Sequence, residues 1–81
     1  MTPLISRMMK RSMDVLERFG HRVRQKRTDI GLSQEDFAAK CNLDRTYISG
    51  IERGKRNVGL RNVEAIAKSL GVSMAELMEG V

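Results

Sequence analysis

"LDRTYISGIERGKRN", residues 43–57, reads as one short helix followed by a basic turn, with Gly50 inside the helix. A mid-helix glycine costs roughly 1 kcal/mol relative to alanine, so a bare backbone at that point needs a reason. Turning about 100° per residue from Arg45, Ile48 and Ile51 share a buried direction. The opposite face collects Thr46, Ser49, Gly50, Arg53 and, toward one edge, Arg45. That face is small, polar and basic and holds no acid, because Glu52 falls on the flank beside Ile48 and Tyr47 on the other flank. Such a face suits a helix laid in the major groove of DNA. There Thr46 and Ser49 can meet base edges or the thymine methyl, and Arg45 can pair with guanine O6 and N7, worth roughly 1 to 3 kcal/mol of discrimination. Gly50 then reads as a point where phosphate or base lies too close for a side chain. Relief of a helix-helix clash is the other reading, and the outward azimuth weighs against it.

On both sides of this stretch the pattern is helical. From Val15 to Asp29, Leu16, Phe19, Val23 and then Ile30 form an apolar stripe closed by Gly31, while Arg18, Arg22, Arg24 and Lys26 lie off it and read as a solvated face. Ser33 starts a second helix with Asp36 three residues on, Phe37, Ala38 and Cys41 face inward, and Asn42 suits the left-handed residue after a helix. Asp44 is a good N-cap for the third helix, and Leu43 before it can staple onto Ile48. After the turn from Gly54 to Gly59, Leu60, Val63, Ile66, Ala67 and Leu70 make another stripe ended by Gly71. Ser73 with Glu76 opens a last short helix carrying Leu77 and Met78. The spacing predicts an all-α, compact five-helix bundle. Thr2 with Pro3 has the form of one more helix start, with Ile5, Met9, Met13 and Leu16 on one face; a frayed basic end is the equal alternative.

The chain has 81 residues, enough for one domain with a single small core. Its 15 Lys and Arg against 10 Asp and Glu give a net charge of +5, which points to a partner with a negative surface. Residues 1–31 hold 8 basic and 3 acidic side chains, 32–56 hold 5 and 4, and 57–81 hold 2 and 3, leaving the C-terminal third free for another task. Cys41 is alone and reads as a small core residue, and His21 has no second histidine to share a metal. No metal, cofactor or small-molecule ligand is expected. The absence of a paired nucleophile and base argues against an enzyme, and three aromatic residues offer no exposed pair for stacking RNA bases. The N-terminus lacks the apolar stretch of a signal peptide, and no run approaches a membrane span. A soluble, cytoplasmic protein is expected.

Taken together, "GLSQEDFAAKCNLDRTYISGIERGKRN" (31–57) and "LRNVEAIAKSLGVSMAELM" (60–78) resemble the phage-repressor and Cro type of helix-turn-helix regulator, over about residues 16–79. Residues 43–57 look most like the controller proteins of restriction-modification systems, dimeric autoregulators of a methylase and an endonuclease. The resemblance implies a lambda-repressor-like bundle whose second helix runs from Gln34 to Cys41 and whose recognition helix runs from Arg45 to Arg53. It implies base reading by Arg45, Thr46 and Ser49. Backbone or mixed contacts would come from Ser33, Gln34, Tyr47, Gly50, Arg53, Arg56 and Asn57, with Gln34 also buttressing the recognition helix. At the position of Gly50 some relatives carry a long polar side chain that this chain lacks. The resemblance further implies a largely buried ion pair between Arg27 and Glu52.

One recognition helix reads too few base pairs for gene-level specificity. A homodimer on a pseudo-palindromic operator in double-stranded DNA is therefore expected, with half-sites about 34 Å apart. Val72, Met74, Leu77, Met78 and Val81 exceed what so small a core can bury and are assigned to the dimer contact. Residues 14–81 would form the DNA-binding domain and residues 1–13 a basic extension. A phage or plasmid repressor, or the DNA-binding antitoxin of a toxin-antitoxin pair, is the alternative context.

Overall fold

The computed structural model describes residues 13–81, so the readings on Thr2, Pro3, Ile5 and Met9 lie outside the described residues. Among these residues the chain forms five helices and no strand: α1 (Val15–Asp29), α2 (Gln34–Cys41), α3 (Arg45–Glu52), α4 (Leu60–Leu70) and α5 (Met74–Leu77). The helix starts follow local chemistry. Ser33 accepts from the Asp36 amide, Asp44 from that of Thr46 and Ser73 from that of Glu76, each satisfying a donor that the first helical turn leaves free. Asp14 and Glu17 add a reciprocal capping box at the start of α1, which the sequence carries as D-x-x-E.

Between α2 and α3 the turn is set by Asn42 in the left-handed region at φ 57°, with the Leu43 amide donating back to the Ala38 carbonyl at 2.9 Å. This six-to-one bond ends α2 and starts α3 two residues later. The helix-turn-helix geometry is thus written in one asparagine and one aspartate.

The core is built from every helix: Phe19 and Val23 of α1, Phe37, Ala38 and Cys41 of α2, Ile48 and Ile51 of α3, four residues of α4 (Val63, Ile66, Ala67 and Leu70), and Leu77 of α5. Two apolar expectations are corrected. Leu77, assigned above to a dimer surface, is 0% exposed and belongs to the core, because α5 folds back as the lid of the bundle. Ile30 is the residue that ends α1 and is exposed, because the chain leaves the helix there and turns at Gly31.

Arg18 and Arg22 are also corrected from a solvated face to a tie. Arg18 donates to the Val81 carbonyl at 2.7 Å and the Met13 carbonyl at 2.6 Å, and Arg22 to the carbonyls of Glu76 and Leu77 at 2.8 and 3.3 Å. Cationic donors at the carbonyl end of α5 satisfy acceptors that a four-residue helix leaves free. Much of the positive charge of α1 is therefore used inside the fold.

Cys41 is buried, and burial pushes its thiol above the usual range, with a hydrogen bond from Ser69 offsetting part of the effect. A thiol so placed is a poor nucleophile. It acts as a small apolar residue.

Candidate nucleic-acid interface

α3 presents its outer face on a scaffold fixed from behind by ions. Glu52, its last residue, turns into the protein and accepts from Arg27 Nε at 2.7 Å, from Arg27 Nη2 at 2.9 Å and from Gln34 Nε2 at 3.1 Å. Arg27 spends another donor on the Leu32 carbonyl at 2.8 Å. The side chains of this pair are 10% and 3% exposed, and among the described residues no buried side-chain N or O lacks a partner. Hydrogen bonding to Glu52 raises the pKa of Arg27 against the opposing effect of burial. One carboxylate thereby joins α1, the start of α2 and the end of α3, and removes the only acid of α3 from its surface.

In front of this anchor, Arg45, Thr46, Ser49 and Arg53 line one groove together with Gln34 of α2. Arg45, Thr46 and Arg53 are exposed, and Ser49 and Gln34 half-buried. Arg53 bends back to the Ser49 carbonyl at 3.3 Å, where a cation meets the negative end of α3. The Thr46 hydroxyl donates to Asp44, and with the Thr46 amide it holds the Asp44 carboxyl below the usual carboxylate range. The folded value lies below the unfolded one, near 3.9. The contribution of this cap is therefore present above the unfolded value and is lost as pH falls through the folded one. Ser33, exposed, uses its oxygen as the cap of α2. Lys55, Arg56 and Asn57 are exposed in the turn after α3.

Gly50 departs from its expected exposure. It is buried, and what covers it is the side chain of Arg56: an added Cβ would lie 2.8 Å from Arg56 Cγ and 3.4 Å from Nε. The guanidinium carbon of Arg56 sits 5.9 Å from the centre of the Tyr47 ring, and the Tyr47 hydroxyl accepts from Asn62 Nδ2 at 3.1 Å. Neither Asn62 nor the Gly50–Arg56 packing was visible in the sequence. One joins α3 to the turn after it and the other to α4, and helical periodicity within α3 carries no trace of them.

Among the remaining apolar residues assigned above to a dimer contact, Met78 is exposed, and Val72, Met74 and Val81 are half-buried against the core. The most exposed large apolar side chain among the described residues is Leu60 at 74%, with Val15 also exposed. A shallow apolar groove of about 180 Å³ runs between α1 and α4, lined by Val15, Leu16, Phe19, Val58, Val63 and Met78 with Asn57 at its edge.

A capped turn joining two short helices, the second carrying a basic outer face held by a buried ion pair, defines a helix-turn-helix protein. The helix-turn-helix family matches residues 23–77, and the chain belongs to that family. It is 49% identical over 69 residues to control protein C.MunI of a Mycoplasma species, spanning 84% of this chain and 93% of that protein. Against control protein C.BamHI of Bacillus amyloliquefaciens it is 53% identical over 62 residues, spanning 75% and 76%. The crystal structure of the restriction-modification controller protein C.AhdI from Aeromonas hydrophila superposes with a TM-score of 0.75 at 48% identity, over 76% of this chain and 94% of that one. The chain is accordingly a DNA-binding regulator of transcription, similar to restriction-modification controllers, and not a member of an enzyme family. Among the described residues no helix is long and apolar enough to cross a membrane.

Proposed function

We propose that this protein is the autoregulatory controller of a restriction-modification system, acting in the cytoplasm as a homodimer on a pseudo-palindromic DNA operator. The observation that carries the reading is the groove of Arg45, Thr46, Ser49 and Arg53 on the acid-free face of α3 with Gln34 of α2 beside them, a base-reading and phosphate-gripping set. The identity of about half to two control proteins and to the restriction-modification controller protein C.AhdI supports the restriction-modification context. Arg45, Thr46 and Ser49 read base edges; Ser33, Gln34, Tyr47, Arg53, Arg56 and Asn57 hold the sugar-phosphate backbone on either side. Residues 14–81 form the binding domain.

Selection of bound duplexes from a random library, followed by titration of the winner at several salt concentrations, tests this directly. An inverted repeat with half-sites about 10 base pairs apart and an affinity falling steeply with salt is the expected result. No enriched sequence would overturn the reading. Arg45→Ala should lower affinity for the selected site by about 5- to 150-fold and relax the preference at one base pair. Arg53→Ala should weaken binding to specific and random duplexes alike. Equal losses on both duplexes for Arg45→Ala would remove it from the base-reading set.

The second copy covers exposed apolar side chains at two grooves, Val15 and Met78 in the one between α1 and α4 and Leu60 beside Met74 in another. Pairing about a two-fold axis has to set two α3 helices on successive turns of the duplex for both to read a palindromic operator. Since Leu60 is 74% exposed, Leu60→Glu spares the core. It should shift sedimentation at micromolar concentration to the monomer and reduce operator affinity while leaving the melting temperature of the monomer unchanged. Unaltered sedimentation would rule this contact out.

A further inference from the structure

We infer that Gly50 is kept bare to berth Arg56, so that a long cation from the turn after α3 is held in place on the flank of the recognition helix before DNA arrives. Resting on the DNA-binding reading above, the inference deepens it by assigning a positioning residue to that site. By azimuth Gly50 stands only about 40° from Thr46 around α3, beside the base-reading set and not behind it. A methyl group there would meet Arg56 at 2.8 Å from Cγ, 3.4 Å from Nε and 3.6 Å from Cδ, so the stem of Arg56 occupies the space that any other residue would fill. Its guanidinium carbon then rests 5.9 Å from the centre of the Tyr47 ring, within cation-π range. Tyr47 is in turn fixed by Asn62 of α4 at 3.1 Å. Among the described residues the guanidinium has no hydrogen bond or ion pair, which leaves its donors for a ligand, and the ligand chemistry they fit is a phosphate oxygen or a guanine edge.

The physical gain is preorganisation. An arginine in an exposed turn loses side-chain freedom when it binds, and a side chain already held in its bound position loses less. Gly50 contributes through Arg56 and makes no contact of its own. The two residues therefore form one functional unit.

A double-mutant cycle on the selected operator isolates that unit, using Gly50→Ala, Arg56→Ala and the double variant, with thermal melts of all three. Arg56→Ala should weaken operator binding about tenfold, as a lost contact of about 1.4 kcal/mol gives. Gly50→Ala should weaken it comparably without lowering the melting temperature. The double variant should bind no worse than Arg56→Ala alone. Additive losses would mean that the methyl group obstructs DNA by itself, and undiminished binding by Gly50→Ala would mean that Arg56 needs no berth; either result overturns the inference. A readout independent of DNA is the 15N relaxation of Arg56 Nε in the free protein. It should report an ordered side chain in the wild type and a mobile one in Gly50→Ala, and equal mobility in both would likewise overturn the berth. Failure of the wild type itself to enrich any sequence is a separate result, which strikes the DNA reading and not the Gly50–Arg56 coupling.

Discussion

Glu52→Ala should unfold most of this protein at physiological temperature. The substitution removes one side of a buried ion pair and leaves Arg27, whose side chain is 10% exposed, with its charge uncompensated and its Leu32 bond isolated. Breaking such a pair from one side costs about 3 to 5 kcal/mol. Natural domains have only about 5 to 15 kcal/mol in total, and small ones lie toward the low end. For a domain of this size each kcal/mol moves the melting temperature by about 4 to 8 °C, so a fall of roughly 12 to 40 °C is expected in a circular dichroism melt. A fall below about 5 °C would show that the cluster contributes little. The exposed pairs set the scale: Lys26 with Glu76 at 3.5 Å and Lys68 with Glu64 at 4.0 Å are solvated on at least one side and are worth about 0 to 1 kcal/mol each.

The paired replacement Arg27→Met with Glu52→Leu should recover much of the loss, because no unpaired charge is left inside. It will not recover all of it. Gln34 loses its 3.1 Å partner and the Leu32 carbonyl its donor. DNA binding follows folding in this series, so a variant held folded at low temperature should keep its operator preference. That behaviour separates Glu52 from Arg45, whose loss should alter preference with the fold intact.

What the sequence disclosed and what it withheld divide along the range of the interaction. Ser33, Asp44 and Ser73 were readable as caps because a side chain that accepts from an amide two or three residues on needs no tertiary contact. Asn42 was readable for the same reason, and with Asp44 it locates the turn that places α3. The outward set Arg45, Thr46, Ser49 and Arg53 followed from helical angle alone, and these residues line one groove. Angle failed at Gly50, since the azimuth of an isolated helix says nothing of a side chain arriving from six residues later. It failed again at Leu77, where a helix of four residues is too short to define a face. The solvated-face reading of Arg18 and Arg22 fails because each donates to backbone carbonyls some 54 to 63 residues away. No residue type in the sequence announces those acceptors.

Nothing in the sequence marks Gly20, yet Gly20→Ala should destabilise the fold even though it adds a single methyl group. Gly20 is buried near the middle of α1, where alanine would by itself favour the helix by about 1 kcal/mol. An added Cβ, however, would overlap the carbonyl oxygen of Ile51 and lie 2.8 Å from that of Glu52. These are backbone atoms at the carbonyl end of α3, and they cannot rotate aside. α1 and α3 would have to separate, which disturbs the Arg27–Glu52 pair and shifts the recognition helix against its anchor. Overpacking of this kind costs about 1 to 3 kcal/mol and occasionally more, so a net loss of roughly 2 kcal/mol and a fall of about 8 to 16 °C in melting temperature are expected. Gly50→Ala is the matched control, since it too places alanine in a helix, but there the methyl group meets a flexible arginine side chain. The two melts should move in opposite directions, Gly20→Ala down and Gly50→Ala level or up. If both fall, the berth at Gly50 is as rigid as the helix contact at Gly20, and Arg56 is part of the core packing. If neither falls, α1 and α3 can part without penalty, and the close approach at Gly20 does not hold the recognition helix in place.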